Sequence, residues 1–167
     1  MGSEGRLQRI YAPWRLAYVS RNEADQGCIF CAAAQGGDET LTLATGPRVF
    51  ALLNRYPYTS GHAMVAPVYH AATLAELDGE TMAEMMLLAR RVVSALDAAY
   101  HPHGFNLGMN LGEAAGAGIV DHVHLHVVPR WRGDTNFMTV GADVRVLPED
   151  LTQSCARLRR ALEAQVG

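Results

Sequence analysis

The chain has no lysine. All fourteen basic residues are arginine, set against seventeen acidic ones, for a net charge of −3 with the histidines neutral. A general nucleic-acid surface needs clustered Lys and Arg, so this balance argues against one. No apolar run reaches the roughly 18–20 residues that span a bilayer. The N-terminus also lacks the apolar stretch of a secretory leader. These absences point to a cytoplasmic protein with no membrane partner. Cysteine is scarce as well. There are three, an odd number, and Cys28 and Cys31 form a close pair. That favours a reducing compartment and metal binding over a disulfide framework. Although aromatics make up only 7% of the 167 residues, 49% are hydrophobic. This suffices for one compact domain with its own core.

Residues 1–10 read as a flexible N-terminal segment and 11–167 as a single domain. The first five are small and polar, as in a frayed end. Residues 6–18 carry Tyr11, Trp14 and Tyr18. They read as a short helix or turn packing aromatics onto the domain, the alternative being an arm that crosses to a dimer partner. Residues 22–27 and 35–39 are polar loops. Residues 48–54 and 62–67 are short apolar runs that predict a hairpin. A helical stretch begins over 73–77, and Gly79 interrupts it. Residues 81–100 then place Met82, Met85, Met86, Ala89, Val92, Val93, Leu96 and Ala99 at helical spacing; the methionines read as core filler. His101 and His103 flank Pro102 at the helix end and read as surface residues. Residues 105–110 alternate as a strand does, 111–118 form a Gly/Ala loop, and 147–166 predict a helix starting at Pro148, with Cys155 a small buried residue on it. Hairpin, long helix, two strands and helix is an α+β order with an antiparallel sheet.

Everything is organised around residues 121–130, DHVHLHVVPR. His122, His124 and His126 alternate with Val123, Leu125 and Val127, which is the pattern of a strand. The three imidazoles then share one face. In a helix they would spread over about 400° of arc. Three buried imidazoles need partners, since an unpaired polar group costs about 1–3 kcal/mol. A surface strand would more commonly carry Thr, Lys or Glu. The row therefore reads as a metal site or as a catalytic histidine aligned by its neighbours. An imidazole with an unshifted pKa near 6.5 is an effective nucleophile at neutral pH. Attack by one ring nitrogen on phosphorus gives a phosphoramidate and splits a displacement in two, provided the other nitrogen holds its proton on a fixed acceptor.

The segment resembles the histidine-triad (HIT) family, whose signature is HxHxH ending here in VVPRW. The flanking GFNLGMNLGEAAGAG and WRGDTNFM look like its dinucleoside-polyphosphate branch of hydrolases and phosphorylases, and the likeness runs from about Tyr11 to Pro148. The resemblance implies a five-stranded antiparallel sheet with a long helix and a C-terminal helix, dimerising into a ten-stranded sheet. It implies a nucleotide hydrolase or nucleotidyl transferase acting on phosphoanhydride bonds, with adenine nucleotides as substrates and no organic cofactor. In that reading His124 is the nucleophile and His126 contacts the α-phosphate. Asn54, in an NxxPxxxGH pattern that ends at His62, would bind the ribose hydroxyls; a plain strand-end cap is the alternative.

The loop before the histidines, with Gly112, Gly116 and Gly118, can turn backbone N–H groups toward an anion. Some relatives carry a phosphate-binding Gln or Ser where this chain has Ala117-Gly118, so Gly116, Ala117 and Gly118 would act through the backbone. Asn110 is the best polar side chain for the phosphate oxygens. Trp131 and residues 134–137 either close over the leaving phosphates or shape a partner's pocket. Cys28-x-x-Cys31 supplies two thiolates at zinc spacing. No second CxxC exists, so further ligands must be distant histidines. The resemblance selects His70 and His122, with His62 the competitor, and implies a closed structural Cys₂His₂ zinc. Two rival readings stay open: a nucleotide-binding regulator with negligible turnover, and a catalytic zinc held by all three triad histidines.

Overall fold

The computed structural model describes residues 27–37, 40–134 and 149–165. The aromatic segment around Tyr11, Trp14 and Tyr18, residues 135–137 and Pro148 lie outside that set. Two strands in which every residue is buried form the centre of the sheet, β2 (Val49–Leu53) and β3 (Ala63–Pro67). They pair antiparallel from Val49↔Pro67 to Leu53↔Ala63. β1 (Thr42–Thr45) lies outside β2. β5 (Leu125–Arg130) pairs with β3, and β4 (Gly104–Gly108) closes the order β1-β2-β3-β5-β4. The expected five-stranded antiparallel sheet is present. β1 was not visible in the sequence, because four residues reading TLAT are too short to show a period.

Alternation then divides the sheet into two faces. Val49, Ala51, Leu53, Val65, Leu125 and Val127 face a core completed by α2 (Gly79–Tyr100) and α3 (Leu151–Glu163). Phe50, Leu52, Met64 and Ala66 face the other way, against Phe30 and Ala33 of the short helix α1 (Ile29–Ala34). Among the described residues no helix is long and apolar enough to cross a membrane.

Four local expectations are corrected. Gly79 does not interrupt a helix but begins one: the Asp78 carboxylate accepts the Thr81 N–H at 2.6 Å as an N-cap, and only a 3₁₀ turn at Leu74–Glu76 precedes it. Of the three α2 methionines only Met85 is core, at 1% exposed; Met82 (42%) and Met86 (55%) face outward, because the two turns 82–88, MAEMMLL, hold more apolar residues than one buried stripe takes. α3 begins at Leu151 and not at Pro148, since Asp150 accepts the Gln153 N–H and caps it there. Glu149 ties this end of α3 to α2, taking bonds from Tyr100 Oη (2.6 Å), Ser154 Oγ and Arg157. The fourth correction concerns the histidine strand, whose ladder starts at Leu125 and not at 121. The β3 residues that would face His124 and Val123 are Ala66 and Pro67, and Pro67 has no N–H to donate. The chain bends at residues 121 and 122, and the lead-in to the ladder is held by the Val123 N–H bonded to Ala71 O at 2.7 Å.

The two edges of the sheet differ. At β1 the Thr42 carbonyl accepts Arg159 Nε at 2.7 Å and lies 3.5 Å from Cys155 Sγ, so α3 covers that edge. Beyond β4, no further strand pairs among the described residues, and Asn106, Leu107 and Gly108 are exposed.

Candidate active site and metal centre

The side-chain alternation survives the short ladder. Val123, Leu125 and Val127 enter the helix-side core, and the three histidines lie on the opposite face, each with different work. His122 is fully buried. Its Nε2–H donates to the Pro67 carbonyl at 3.0 Å, leaving Nδ1 as the lone-pair nitrogen. That Nδ1 is 3.2 Å from Cys28 Sγ and 3.7 Å from Cys31 Sγ, and His70 Nδ1 is 3.4 Å from Cys31 Sγ. The four ligand atoms all lie within 4.8 Å of one another. Zn–S and Zn–N bonds of about 2.3 and 2.0–2.1 Å put tetrahedral ligand atoms roughly 3.3–3.8 Å apart, so these four residues fit one metal ion. A metal-binding histidine normally anchors its second nitrogen, as His122 does on Pro67. Burial and the neighbouring Cys28 hold the Cys31 thiol above its ordinary range. A cation supplies the charge that lets both sulfurs ionise.

His124 is 5% exposed. Its Nδ1–H donates to the His122 carbonyl at 2.8 Å, which leaves Nε2 unprotonated. Burial lowers its pKa, with the carbonyl bond opposing, so the ring is held neutral. Phe30 covers one side of the ring, with centroids 4.7 Å apart at 31°, and His126 meets it edge-on at 4.8 Å and 75°.

The pair His62–His126 is a feature that sequence reasoning missed. His62 Nδ1 accepts the Tyr58 N–H at 3.1 Å, so its proton sits on Nε2, which lies 3.0 Å from His126 Nδ1. His126 then accepts at Nδ1, which puts its own proton on Nε2. His62 is therefore not a metal ligand. Register creates this contact: the strands are antiparallel with Ala63 opposite Val127 and Met64 opposite His126, so His62 and His126 meet as diagonal neighbours on one face of the sheet. The sequence marked His62 only as the end of the NxxPxxxGH pattern, behind Gly61, whose φ is +79° and where a Cβ would lie 2.6 Å from Leu96 Cδ2.

The remaining site residues are less uniform. Asn54 Oδ1 accepts the Tyr56 N–H at 2.9 Å, which closes the turn after β2 and leaves the amide NH₂ to offer. Asn110 Nδ2 reaches the Gly116 carbonyl at 3.4 Å and bridges the glycine loop. Inside that loop the Gly116 and Ala117 N–H groups bond to Glu113 O and Gly112 O, at 2.8 and 3.3 Å. Gly118 contributes no amide to these loop bonds. Asp134 binds Arg130 at 2.6 and 2.9 Å and accepts the Trp131 N–H at 3.2 Å. Arg130 is opposite Gly104 whereas His126 is opposite Gly108, so this turn is at the far end of β5, about 13 Å away at strand rise. His101 and His103 are exposed as expected, and His103 Nδ1 accepts the Arg132 N–H. A zinc held by all three triad histidines does not fit, because His122 faces the cysteines, His124 its neighbour's carbonyl and His126 the ring of His62.

The HIT domain model matches residues 37–133. An AP-4-A phosphorylase of Mycobacterium tuberculosis is 37% identical over 158 residues, covering 89% of this chain and 81% of that one. An adenosine 5'-monophosphoramidase of Schizosaccharomyces pombe is 36% identical over 62% of this chain and 74% of its own. The crystal structure of a Zn-bound histidine triad family protein from Mycobacterium smegmatis superposes with a TM-score of 0.70 at 34% identity, covering 84% and 95% of the two chains. On sequence and on fold alike, the chain belongs to the HIT domain family.

Proposed function

We propose that this HIT-family nucleotide-processing enzyme cleaves dinucleoside polyphosphates through a nucleotidyl adduct on His124, with inorganic phosphate as the acceptor. The observation that carries the reading is the bond from His124 Nδ1–H to the His122 carbonyl. It fixes one tautomer and leaves Nε2 as a lone pair in a largely buried pocket. Nε2 attacks the α-phosphorus, the P–O bond to the polyphosphate breaks, and the leaving group departs with the electron pair. His126, its Nδ1 occupied by His62, donates from Nε2 to a phosphate oxygen. Asn54, Asn110 and the Gly116–Gly118 backbone hold the ribose and phosphates, with Gly118 the amide not spent inside the loop. An acceptor oxygen then displaces Nε2 from phosphorus. The M. tuberculosis relative, named a phosphorylase, favours phosphate over water as that acceptor.

Product analysis with diadenosine tetraphosphate tests this. ADP plus ATP, formed only when phosphate is present, is expected. AMP plus ATP regardless of phosphate would make the enzyme a hydrolase, and tight binding without turnover would make it a regulator. Zinc is the metal we assign to Cys28, Cys31, His70 and His122, on the tetrahedral spacing and the two-sulfur, two-nitrogen donor set. Thiolate ligands suit a reducing cytoplasm.

The chain is also expected to be a homodimer. An open β4 edge with Leu107 44% exposed, and Met82, Met86 and Leu87 exposed on α2, offers a surface for symmetric pairing. Light scattering at micromolar concentration should give twice the 18.1 kDa chain mass. A purely monomeric species would refute the dimer.

A further inference from the structure

We propose that the metal centre is a brace for the nucleophile, and that Phe30, carried between the two cysteines, is a positioning residue for His124. The inference rests on the reading of His124 given above. Two connections run from the four-ligand cluster to the nucleophile's ring. The first is His122, whose ring Nδ1 faces the cysteines while its backbone carbonyl accepts the His124 Nδ1–H. One residue thus presents a side-chain ligand to the metal and a backbone acceptor to the nucleophile. Among the described residues its one other side-chain bond is to Pro67.

The second connection is Phe30. It is 1% exposed and lies against both histidines, 5.1 Å from His122 and 4.7 Å from His124 between ring centroids. It follows Cys28 by two residues and precedes Cys31 by one, so ligation of both sulfurs fixes where its ring can go. The helix that carries it is six residues long, far below the roughly 12–15 at which an isolated helix becomes even marginally stable. Only Phe30 and Ala33 of α1 are buried. The metal is therefore the tether that holds α1, and with it one wall of the His124 site. Without the tether the His124 ring keeps its His126 edge contact but loses the fixed plate opposite and the anchored acceptor. Mispositioning of about 1 Å can cost on the order of 10² in rate.

Two perturbations separate the brace from ordinary stability. Phe30→Leu keeps apolar bulk but removes the flat wall, and leaves all four ligands in place. It should retain one metal per chain by elemental analysis and keep KM within about twofold, while kcat falls roughly 10–100-fold. Metal-depleted wild-type protein, read by side-chain ¹⁵N NMR without substrate, should show His124 passing from a single Nδ1–H tautomer to a mixture. A Phe30→Leu protein with normal kcat, or a folded metal-free protein with an unchanged His124 spectrum, would overturn the brace. If chelation unfolds the chain, the metal-loaded Phe30→Leu protein decides through its kcat and its His124 spectrum. An adduct found on a residue other than His124 in wild-type enzyme would instead overturn the assignment of the nucleophile, while the substrate-free spectra still judge the brace.

Discussion

His124→Ala should abolish turnover and leave nucleotide affinity within a few-fold of wild type. The substitution removes the Nε2 lone pair that forms the adduct, and no described neighbour offers a replacement. His122 Nδ1 faces the cysteines, and His126 has its Nδ1 on His62 and its proton on Nε2. A loss of four orders of magnitude or more is expected, or about 5–6 kcal/mol of barrier. Binding should survive because ribose and phosphate contacts are assigned to Asn54, Asn110 and the glycine loop. His126→Ala removes a single donor and should cost about 10²–10³. Quenched wild-type enzyme should carry a nucleotidyl group on His124, stable at high pH and labile in acid. Calorimetric titration, steady-state kinetics and mass mapping check the three parts. Near-normal turnover in His124→Ala would remove the mechanism.

Cys28→Ser should release the metal and sharply lower stability. The ligands join positions far apart in the chain: Cys28 is 94 residues from His122, and Cys31 is 39 from His70. A covalent staple over comparable loops contributes about 2–5 kcal/mol, and metal binding couples to folding in the same sense. A domain of this size loses about 2–4 °C of Tm per kcal/mol, so a fall of roughly 4–20 °C is expected. Elemental analysis should find one zinc per wild-type chain and none in the variant. A zinc-free wild-type domain with an unchanged melting point would return both cysteines to ordinary packing.

What could be read from the sequence was periodic or local. The alternation of His122, His124 and His126 with Val123, Leu125 and Val127 placed the two sets on opposite faces, and the faces hold even where the ladder does not. The CxxC spacing identified two of four clustered ligands, and resemblance supplied the other two. What could not be read depends on register and on neighbours distant in sequence. The contact of His62 with His126 follows from the pairing of Ala63 with Val127, which no local pattern encodes. The same holds for Phe30, an apolar residue between two cysteines with nothing in its spacing to place it against an imidazole. The outward turn of Met82 and Met86 was missed because helical periodicity counts apolar positions without saying how many the sheet beneath can cover.

The arrangement at β1 bears on how large an assembly this chain can build. Arg159 and Cys155 of α3 occupy the Thr42 carbonyl, so a strand added at that edge would have to displace α3. Joining two copies through β4 about a two-fold axis would put a helix-blocked β1 at both outer ends. Such an assembly terminates itself at ten strands, because a third copy meets no open ladder. The same C-terminal helix that packs the core would then act as a chain stopper against fibre growth. Truncating it, or replacing Arg159, would turn a closed particle into one with growing ends.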